Sequence, residues 1–274
     1  MYKIVAMDLD ETLLNDHHQI CERNKMAIQK AKALGVKIVP CSGRGPGFLG
    51  SILEELDLEK ANEYSILANG GVIVDNANND IIHCDPLDYD SLEKLFHFGR
   101  ERNLGIEIFT PDNVYFYYCD ENEITRCRSF GKNLVFKEED DIEIFKDMIT
   151  FKMLFVKNDM PYLLSLQKEL EPITNNKVCV SFSSERYVEL NRLGVNKGKG
   201  LKHLANYLNI DIQDTIGIGD NFNDIDLIET AGLGATVSNA KVEAKQKANY
   251  HCVSDNNEGG VGEVIEKFIL NSKE

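Results

Sequence analysis

The chain has 274 residues, enough for one large domain or two of ordinary size. Hydrophobic residues make up 43% and charged residues 27% of it, which is typical of a well-packed globular protein and not of a disordered one. The formal net charge of −15 argues against nucleic acid or an anionic membrane as the main partner, because phosphate groups are bound by clustered Lys and Arg.

The seven cysteines form no C-x-x-C pair, and several lie in or beside apolar runs. This pattern predicts reduced packing residues in a cytoplasmic protein. The N-terminus shows no apolar run preceded by basic residues, so no signal peptide is expected. No stretch approaches the roughly 20 apolar residues that span a bilayer, so we expect no membrane-spanning helix.

Strand and helix patterns alternate over the first 85 residues. Apolar runs predict buried strands in "KIVAMD", "VKIVPCSG" and "YSILANGGVIV". Apolar residues at helical spacing predict one helix over residues 24–34, ending at Gly35, and another in "FLGSILEELDL". From about Glu189 the alternation returns, in "GKGLKHLANYL", "DTIGIGD", "NDIDLIETAG" and "GATVSNA". Such alternation predicts a parallel sheet with helices on its faces.

The pattern changes near Pro86. A helix in "SLEKLFHFGRERNLG" is followed by the strands "IEIFT" and "VYFYY", which a hairpin signal separates, and then by "TFKMLFVK", a helix from about Pro161 to Leu170, and "KVCVSFSS". Several strands with few helices predict a mostly antiparallel α+β unit. The predicted fold class is therefore α/β, with a doubly wound, mostly parallel (Rossmann-like) sheet core over residues 1–85 and 188–274. Residues 86–187 would form an inserted α+β domain.

Four local patterns place polar side chains at strand ends or helix starts, where open α/β sheets bind their ligands. The first, "DLDET", sets Asp8 beside Asp10, which is costly unless a cation or a shared proton compensates the two charges. Taken alone, it is equally compatible with solvated loop acids or a helix N-cap. The second, "PCSGR", offers the Ser42 hydroxyl, backbone N–H groups and the Arg44 charge as an anion cradle. An ordinary N-cap serine is the alternative.

The third pattern is Lys197 in "GVNKGKGLKHL", at or just before the first turn of a helix, where a lysine opposes the helix dipole. An anion facing Lys197 would explain this position, and an ordinary surface lysine is the alternative. The fourth, "IGIGDNFNDIDLI", ends a strand in two glycines and Asp220 and opens the next helix with Asn223 and Asp224. Capping explains acids in a first turn, but glycines beside a terminal aspartate indicate close approach of a ligand to the backbone.

The four patterns together supply carboxylates, cations and neutral donors, with no His or Cys among them. Hard oxygen ligands select Mg²⁺, which usually keeps water and substrate phosphate in its coordination shell. The sequence therefore predicts a Mg²⁺ ion near Asp8 and Asp10, with a phosphate completing the shell.

The four motifs, in this order, resemble those of the haloacid dehalogenase-like superfamily. The "LANGG" stretch and the long insertion between the second and third motifs resemble its Cof-type phosphatases, and the resemblance covers essentially the whole chain. It implies that residues 86–187 form an α/β cap that sets substrate specificity. It also implies that Asp8 is the nucleophile, which becomes an aspartyl-phosphate, and that Asp10 protonates the leaving group and then activates water.

The resemblance also implies which residues bind phosphate by donating hydrogen bonds. They are Ser42, Lys197 and Asn223 through their side chains, and Leu9 and Gly43 through their backbone N–H groups. The resemblance implies oxygen ligands for the metal, and these are Asp8, the carbonyl of Asp10, Asp220 and Asp224. Of these, Asp224 orients the coordination shell. The family usually has Gly where Glu11 stands, so Glu11 must either fit a backbone with negative φ or accept strain. Ser42 stands where many members have Thr, which keeps the hydroxyl.

The sequence thus predicts a Mg²⁺-dependent phosphatase that acts on a small phosphorylated metabolite, such as a sugar phosphate or a cofactor phosphate. One alternative is a phosphomutase, which would move the phosphoryl group within a bound sugar. Another is a regulatory phospho-acceptor, in which Asp8 is phosphorylated and the cap binds a partner. Asp10 argues against this last alternative, because a long-lived aspartyl-phosphate gains nothing from an acid-base neighbour. No residue pattern identifies the substrate or the oligomeric state.

Overall fold

The structure is a computed structural model that describes residues 1–130 and 133–271. The chain forms two units, each with its own apolar core. The first unit is made of Met1–Arg44, Gly50–His83 and the chain from Asn196 onward, and the second of Gly45–Leu49 and Cys84–Val195.

The described residues form ten α-helices and fourteen strands. The α-helices are α1 (Glu22–Ala33), α2 (Gly50–Glu55), α3 (Tyr89–Glu101), α4 (Glu121–Phe130), α5 (Met160–Ser165), α6 (Gln167–Thr174), α7 (Lys197–Tyr207), α8 (Ile225–Thr230), α9 (Val242–Lys245) and α10 (Gly260–Ile265). The strands are β1 (Ile4–Met7), β2 (Lys37–Pro40), β3 (Tyr64–Leu67), β4 (Val72–Asp75), β5 (Asp80–Cys84), β6 (Gly105–Phe109), β7 (Val114–Tyr117), β8 (Leu134–Lys137), β9 (Lys152–Val156), β10 (Val178–Ser183), β11 (Tyr187–Arg192), β12 (Thr215–Gly219), β13 (Leu233–Thr236) and β14 (Tyr250–His251).

The main sheet of the first unit is parallel, with the strand order β14-β13-β12-β1-β2. Its central strand β1 reads IVAM and is buried along its whole length, as expected for a strand of a parallel sheet covered on both faces. In the register of the sheet, Ile4 lies opposite Lys37 on one side and Thr215 on the other. This sheet confirms the predicted α/β class and brings the ends of β1 and β12 together.

The "YSILANGGVIV" stretch differs from the single strand region that its apolar run predicts. It forms two antiparallel strands, β3 and β4, joined by a turn over Ala68–Gly70. All three residues of the turn have positive φ angles, of 50°, 56° and 97°. A left-handed conformation costs about 1–2 kcal/mol for a residue with a β-carbon. The contacts around Ala68 and Asn69 must therefore stabilise an unfavourable backbone.

The second unit contains a six-stranded sheet with the order β10-β11-β9-β6-β7-β8, antiparallel except between β7 and β8. The predicted hairpin forms, with Phe109 opposite Val114. The predicted helix from Pro161 to Leu170 is instead two short helices, α5 and α6.

The predicted return to the first unit at residue 188 falls inside β11 and is wrong by several residues. Strand β11 pairs with β10 and β9, so it belongs to the second unit, and the first unit resumes at Asn196. A buried strand has the same local pattern in either sheet, so the sequence did not distinguish them. The specificity role predicted for residues 86–187 stays a prediction.

The seven cysteines form no disulfide in the structure. Burial raises the pKa of Cys252 to about 12, and it raises the pKa of Cys41 further. Thiols of this kind are inert packing groups. Within residues 1–130 and 133–271, no helix is both long enough and apolar enough to cross a bilayer.

A buried polar cluster lies in the second unit, between β6 and α4. The carboxyl of Glu107 on β6 is 2% exposed and shares a hydrogen bond with Glu123 on α4. Tyr187 donates to Glu123 Oε1 at 2.6 Å, and Arg126 donates to the same atom at 2.8 Å. Burial and the neighbouring Glu123 charge raise the pKa of Glu107 to about 8, so Glu107 is protonated at neutral pH.

We expect this proton to make stability depend on pH. The pKa of Glu107 is about 8 when folded and near its ordinary 4.5 when unfolded, so the folded state binds more protons between these values. The free energy of unfolding should therefore fall as pH rises from 4.5 to 8, by up to about 1.4 kcal/mol per pH unit for this one proton. Urea unfolding of Glu107→Gln should show a shallower decline than the wild type. The exposed Glu139→Gln serves as the control, and equal slopes for all three proteins would contradict this assignment.

Candidate functional site

Lys197 links two of the predicted acids. Asp8 follows β1 directly, and Lys197 is the first residue of α7, whose N-cap is Asn196. The Lys197 ammonium donates to Asp8 Oδ1 at 2.5 Å and to Asp224 Oδ1 at 2.6 Å, and its side chain is completely buried. The bonds to these two carboxylates explain why a lysine stands at the start of a helix. Because the side chain is buried, the alternative of an ordinary surface lysine is wrong.

Asp220 and Asp224 complete the acidic cluster at the end of β12. The carboxylate of Asp220 accepts a hydrogen bond from the Thr12 hydroxyl at 2.7 Å. Asp224 is fully buried, and its Oδ2 accepts the backbone N–H groups of Asp220 at 3.1 Å and Asn221 at 3.0 Å. Carboxylate oxygens of Asp8, Asp220 and Asp224 all lie within 4.8 Å of one another. The cluster thus stands at the carboxyl ends of the neighbouring strands β1 and β12.

The charges in this cluster do not balance. Burial raises the pKa of Asp8 well above its ordinary value, the charge of Asp224 raises it further, and Lys197 acts in the opposite direction. Burial and the charge of Asp224 also raise the pKa of Asp220 to about 7. Burial lowers the pKa of Lys197, but the charges of Asp224 and Asp8 outweigh it and leave this pKa above its ordinary value. The cluster thus holds the three carboxylates of Asp8, Asp220 and Asp224 and one ammonium, that of Lys197.

The donor set of the cluster fits a hard divalent cation. Its ligand atoms are carboxylate oxygens within reach of one another, and no soft sulfur or imidazole ligand stands among them. A divalent cation would offset the two excess negative charges, which burial makes costly. The structure thus brings the predicted metal ligands Asp8, Asp220 and Asp224 together.

Asp10 lies apart from the buried cluster. Its carboxylate is exposed, and Arg44 Nη2 donates to its Oδ1 at 2.7 Å. The sequence pattern had placed the Arg44 charge in an anion cradle, whereas the structure brings Arg44 to Asp10. The side chain of Asp10 is therefore accessible to solvent.

The remaining predicted phosphate-binding residues lie on the loops around the cluster. Leu9 follows Asp8 and is fully buried. The Ser42 side chain is 2% exposed, and its hydroxyl accepts the backbone N–H of Arg44 at 3.2 Å. Gly43 follows it in the same loop, and the amide of Asn223 donates to Asn69 Oδ1 at 3.5 Å. Sequence reasoning missed Asn69 and the bond from Thr12 to Asp220, although the Asn-Gly dipeptide in "LANGG" is a turn signal.

The glycines of β12 have a packing role. A β-carbon on Gly217 would lie 2.7 Å from the Leu227 carbonyl oxygen, and one on Gly219 would lie 2.3 Å from the Asp224 β-carbon. Both glycines therefore allow α8 and the Asp224 turn to approach the strand. This contact accounts for the glycines, and the sequence interpretation that a ligand approaches the backbone here is not needed.

The backbone of Glu11 is left-handed, with φ of 61° and ψ of 7°, so of the two expected possibilities Glu11 accepts strain. The carbonyl of Glu11 accepts the Asn239 amide at 2.8 Å, which stabilises the left-handed residue from outside its own turn. The charge of Glu11 also contributes to the raised pKa of Asp220. Glu11 therefore adds a fourth negative charge near the cluster at a position where backbone geometry favours glycine.

A parallel sheet with buried carboxylates and a lysine at its carboxyl edge places charged groups where open α/β proteins bind their ligands. The sequence matches the family described as haloacid dehalogenase-like hydrolase over residues 5–265, and the chain belongs to this family. This membership confirms the predicted resemblance.

Individual relatives match along almost the whole chain. The chain is 33% identical to the Bacillus subtilis protein YxeH over 273 residues, which cover 98% of this chain and 99% of the relative. It is 31% identical to the Bacillus subtilis 5-amino-6-(5-phospho-D-ribitylamino)uracil phosphatase YcsE, covering 98% of this chain and 96% of that one. Its structure is similar to that of a haloacid dehalogenase-like hydrolase from Bacteroides thetaiotaomicron, with a TM-score of 0.86, 26% identity, and coverage of 97% and 99%. The prediction of a haloacid dehalogenase-like phosphatase is thus confirmed at the level of enzyme class.

Proposed function

We propose that this enzyme is a Mg²⁺-dependent phosphatase that hydrolyses a small phosphorylated metabolite through an aspartyl-phosphate on Asp8. The observation that carries the proposal is the buried group of Asp8, Asp220 and Asp224 around the Lys197 ammonium. Phosphoryl transfer needs in-line positioning and compensation of charge on the equatorial oxygens, and this group offers a nucleophile and a cation in one place.

In this proposal hydrolysis takes place in two steps, which residues of this chain carry out. Asp8 attacks phosphorus and expels the substrate alkoxide, which takes a proton from Asp10. Asp10 then removes a proton from the water that attacks the aspartyl-phosphate, so that inorganic phosphate leaves and Asp8 is regenerated. Lys197, the Ser42 hydroxyl, the Asn223 amide and the backbone N–H groups of Leu9 and Gly43 donate to the phosphoryl oxygens.

Asp8, Asp220, Asp224 and the carbonyl of Asp10 are the residues that we assign to Mg²⁺, with Asp224 acting by orienting the shell. When bound, Mg²⁺ supplies positive charge that stabilises the phosphoryl oxygens in the transition state.

Removal of the metal is expected to abolish turnover. EDTA should eliminate phosphate release, and Mg²⁺ should restore it, because Lys197 alone leaves the carboxylates uncompensated. Thermal unfolding should report binding independently, since Mg²⁺ that binds the folded state raises the melting temperature. Full activity in the presence of EDTA, or rescue by Zn²⁺ alone, would contradict the site.

Asp10→Asn is expected to separate a phosphatase from a regulatory phospho-acceptor. With p-nitrophenyl phosphate, whose leaving group needs no proton, the first step should be largely spared, and the second should slow by roughly 10²–10⁴-fold. Rapid-mix kinetics should then show a burst of nitrophenol and an accumulated phosphoenzyme. An unchanged steady-state rate without a burst would remove Asp10 from the acid-base role.

The family and one relative support the proposed substrate class. YcsE is named for a phosphorylated ribitylamino compound, which is a small phosphorylated metabolite. We propose a substrate of this broad class, handled in the cytoplasm, with residues of the second unit setting specificity. Screening a library of phosphorylated metabolites with Mg²⁺ tests the proposal directly. Release of inorganic phosphate supports hydrolysis, and an isomeric product would indicate the phosphomutase instead.

A further inference from the structure

The left-handed turn over Ala68–Gly70 fixes the loop that carries Ser42. The backbone N–H of Asn69 donates to the Ser42 carbonyl at 3.1 Å, and that of Ala68 donates to the Arg44 carbonyl at 2.9 Å. The Ser42 N–H in turn donates to the Ile66 carbonyl at 2.9 Å. Three backbone hydrogen bonds therefore set the position of the Ser42 loop relative to the end of β3.

The same turn lies against the residue that precedes Lys197. A β-carbon on Gly70 would lie 2.0 Å from the Asn196 carbonyl oxygen, so the backbone of the turn approaches the start of α7 closely. Asn196 is the N-cap of that helix, and its side chain accepts the Lys199 N–H at 2.7 Å. The left-handed turn thus brings its backbone to both the Ser42 loop and the start of α7.

The side chain of Asn69 lies between two of the proposed phosphate-binding residues. A β-carbon on Gly43 would lie 3.0 Å from Asn69 Oδ1, so the amide of Asn69 covers Gly43. The same Oδ1 accepts the Asn223 amide at 3.5 Å. One half-buried side chain therefore contacts the loop after β2 and the turn after β12 at once.

We propose that Asn69 is a positioning residue of the phosphate site. Its side chain holds the Gly43 backbone and the Asn223 amide at a fixed separation, so that both can donate to one phosphoryl group. The proposal rests on the proposed function, because it takes Gly43 and Asn223 as phosphate-binding residues. A prearranged pair of donors binds the phosphoryl oxygens without first losing conformational freedom.

The test compares two replacements of Asn69 with a matched control. Asn69→Gly keeps a residue that tolerates positive φ and removes only the amide. Asn69→Asp keeps the size and the acceptor oxygen but adds a negative charge beside the phosphate. Asn79→Gly makes the same change at an exposed residue with φ of 57° in the turn after β4. Inorganic phosphate, added as a competitive inhibitor of p-nitrophenyl phosphate hydrolysis with Mg²⁺ present, is the probe.

We expect Asn69→Gly to raise both the inhibition constant of phosphate and KM by roughly 10-fold, which corresponds to about 1.4 kcal/mol, because Gly43 and Asn223 are then no longer held at a fixed separation. The value of kcat should change less, and Asn69→Asp should raise the inhibition constant further. Asn79→Gly should match the wild type. If Asn69→Gly fails to fold, Asn69→Ser, which also removes the amide, supplies the same comparison.

Unchanged phosphate inhibition in the folded Asn69 variants, with an active wild type, would overturn the positioning role. A fall in kcat with no change in KM or in phosphate inhibition would overturn it as well. A wild type that neither releases phosphate from any substrate nor binds inorganic phosphate would overturn the proposed function instead, so the two failures are distinct.

Discussion

Replacement of Asp8 with asparagine is expected to abolish turnover while leaving the chain folded. An amide cannot form the aspartyl-phosphate, and loss of a covalent nucleophile typically lowers kcat by about 10⁴-fold or more. The fold should survive because the substitution has opposing effects. It removes a charge that burial and the charge of Asp224 disfavour, and it weakens the bond to Lys197.

Phosphate release and circular dichroism, measured on the same preparation, would check this expectation. Asp147→Asn is the matched control, because Asp147 is exposed at the end of the short helix Ile142–Asp147 in the second unit. The control should retain the wild-type rate. A folded Asp8→Asn protein that keeps more than a small fraction of the wild-type activity would contradict the assignment of Asp8 as the nucleophile.

Lys197→Met is expected to have the largest effect on stability. The ammonium is completely buried and is the cation that bonds both Asp8 and Asp224. Removing one partner of a buried ion pair usually costs about 3–5 kcal/mol, because the other charge is left uncompensated. Methionine keeps most of the volume, so a packing defect would contribute little to the loss. Turnover should also vanish, since the phosphoryl oxygens lose a cation.

Urea unfolding without metal would measure the loss for Lys197→Met. Lys202→Met, an exposed position on the same helix, should change stability by less than about 0.5 kcal/mol. The deficit of Lys197→Met should shrink when Mg²⁺ is added, because the ion compensates the same carboxylates. Equal stability of the two methionine variants would mean that Lys197 does not balance the acidic cluster.

The parallel sheet was predictable because its strands are short, continuously apolar and separated by helical patterns. The IVAM run of β1 and the TIGIG run of β12 end directly at Asp8 and Asp220. Since parallel strands present their carboxyl ends at one edge, motifs far apart in sequence could be expected to meet there. Lys197 could be predicted as a site residue because a lysine at a helix start opposes the helix dipole. The two carboxylates that it bonds compensate this unfavourable position.

Other features depend on contacts that no local pattern encodes. The bond from Thr12 to Asp220 and the place of Asn69 over Gly43 join residues from different motifs. The left-handed conformation of Ala68 has no local signal, because alanine gains nothing from it, and the surrounding contacts impose it. The pairing of β11 likewise depends on β9 and β10, so its residues alone do not show which sheet they join.

The pairing of β1 with β12 has a consequence for synthesis on the ribosome. Ile4 is translated well before its neighbour Thr215, which follows roughly 10–40 s later at about 5–20 residues per second. The strands of the second unit all lie between these two positions, so its antiparallel sheet can close while β1 still lacks one flank. A nascent chain released before β12 would carry Asp8 without Asp220, Asp224 or their shared environment. Assembly of the acidic cluster is therefore coupled to translation of β12 and the turn that follows it, and under the proposed function a chain that stops earlier is inactive.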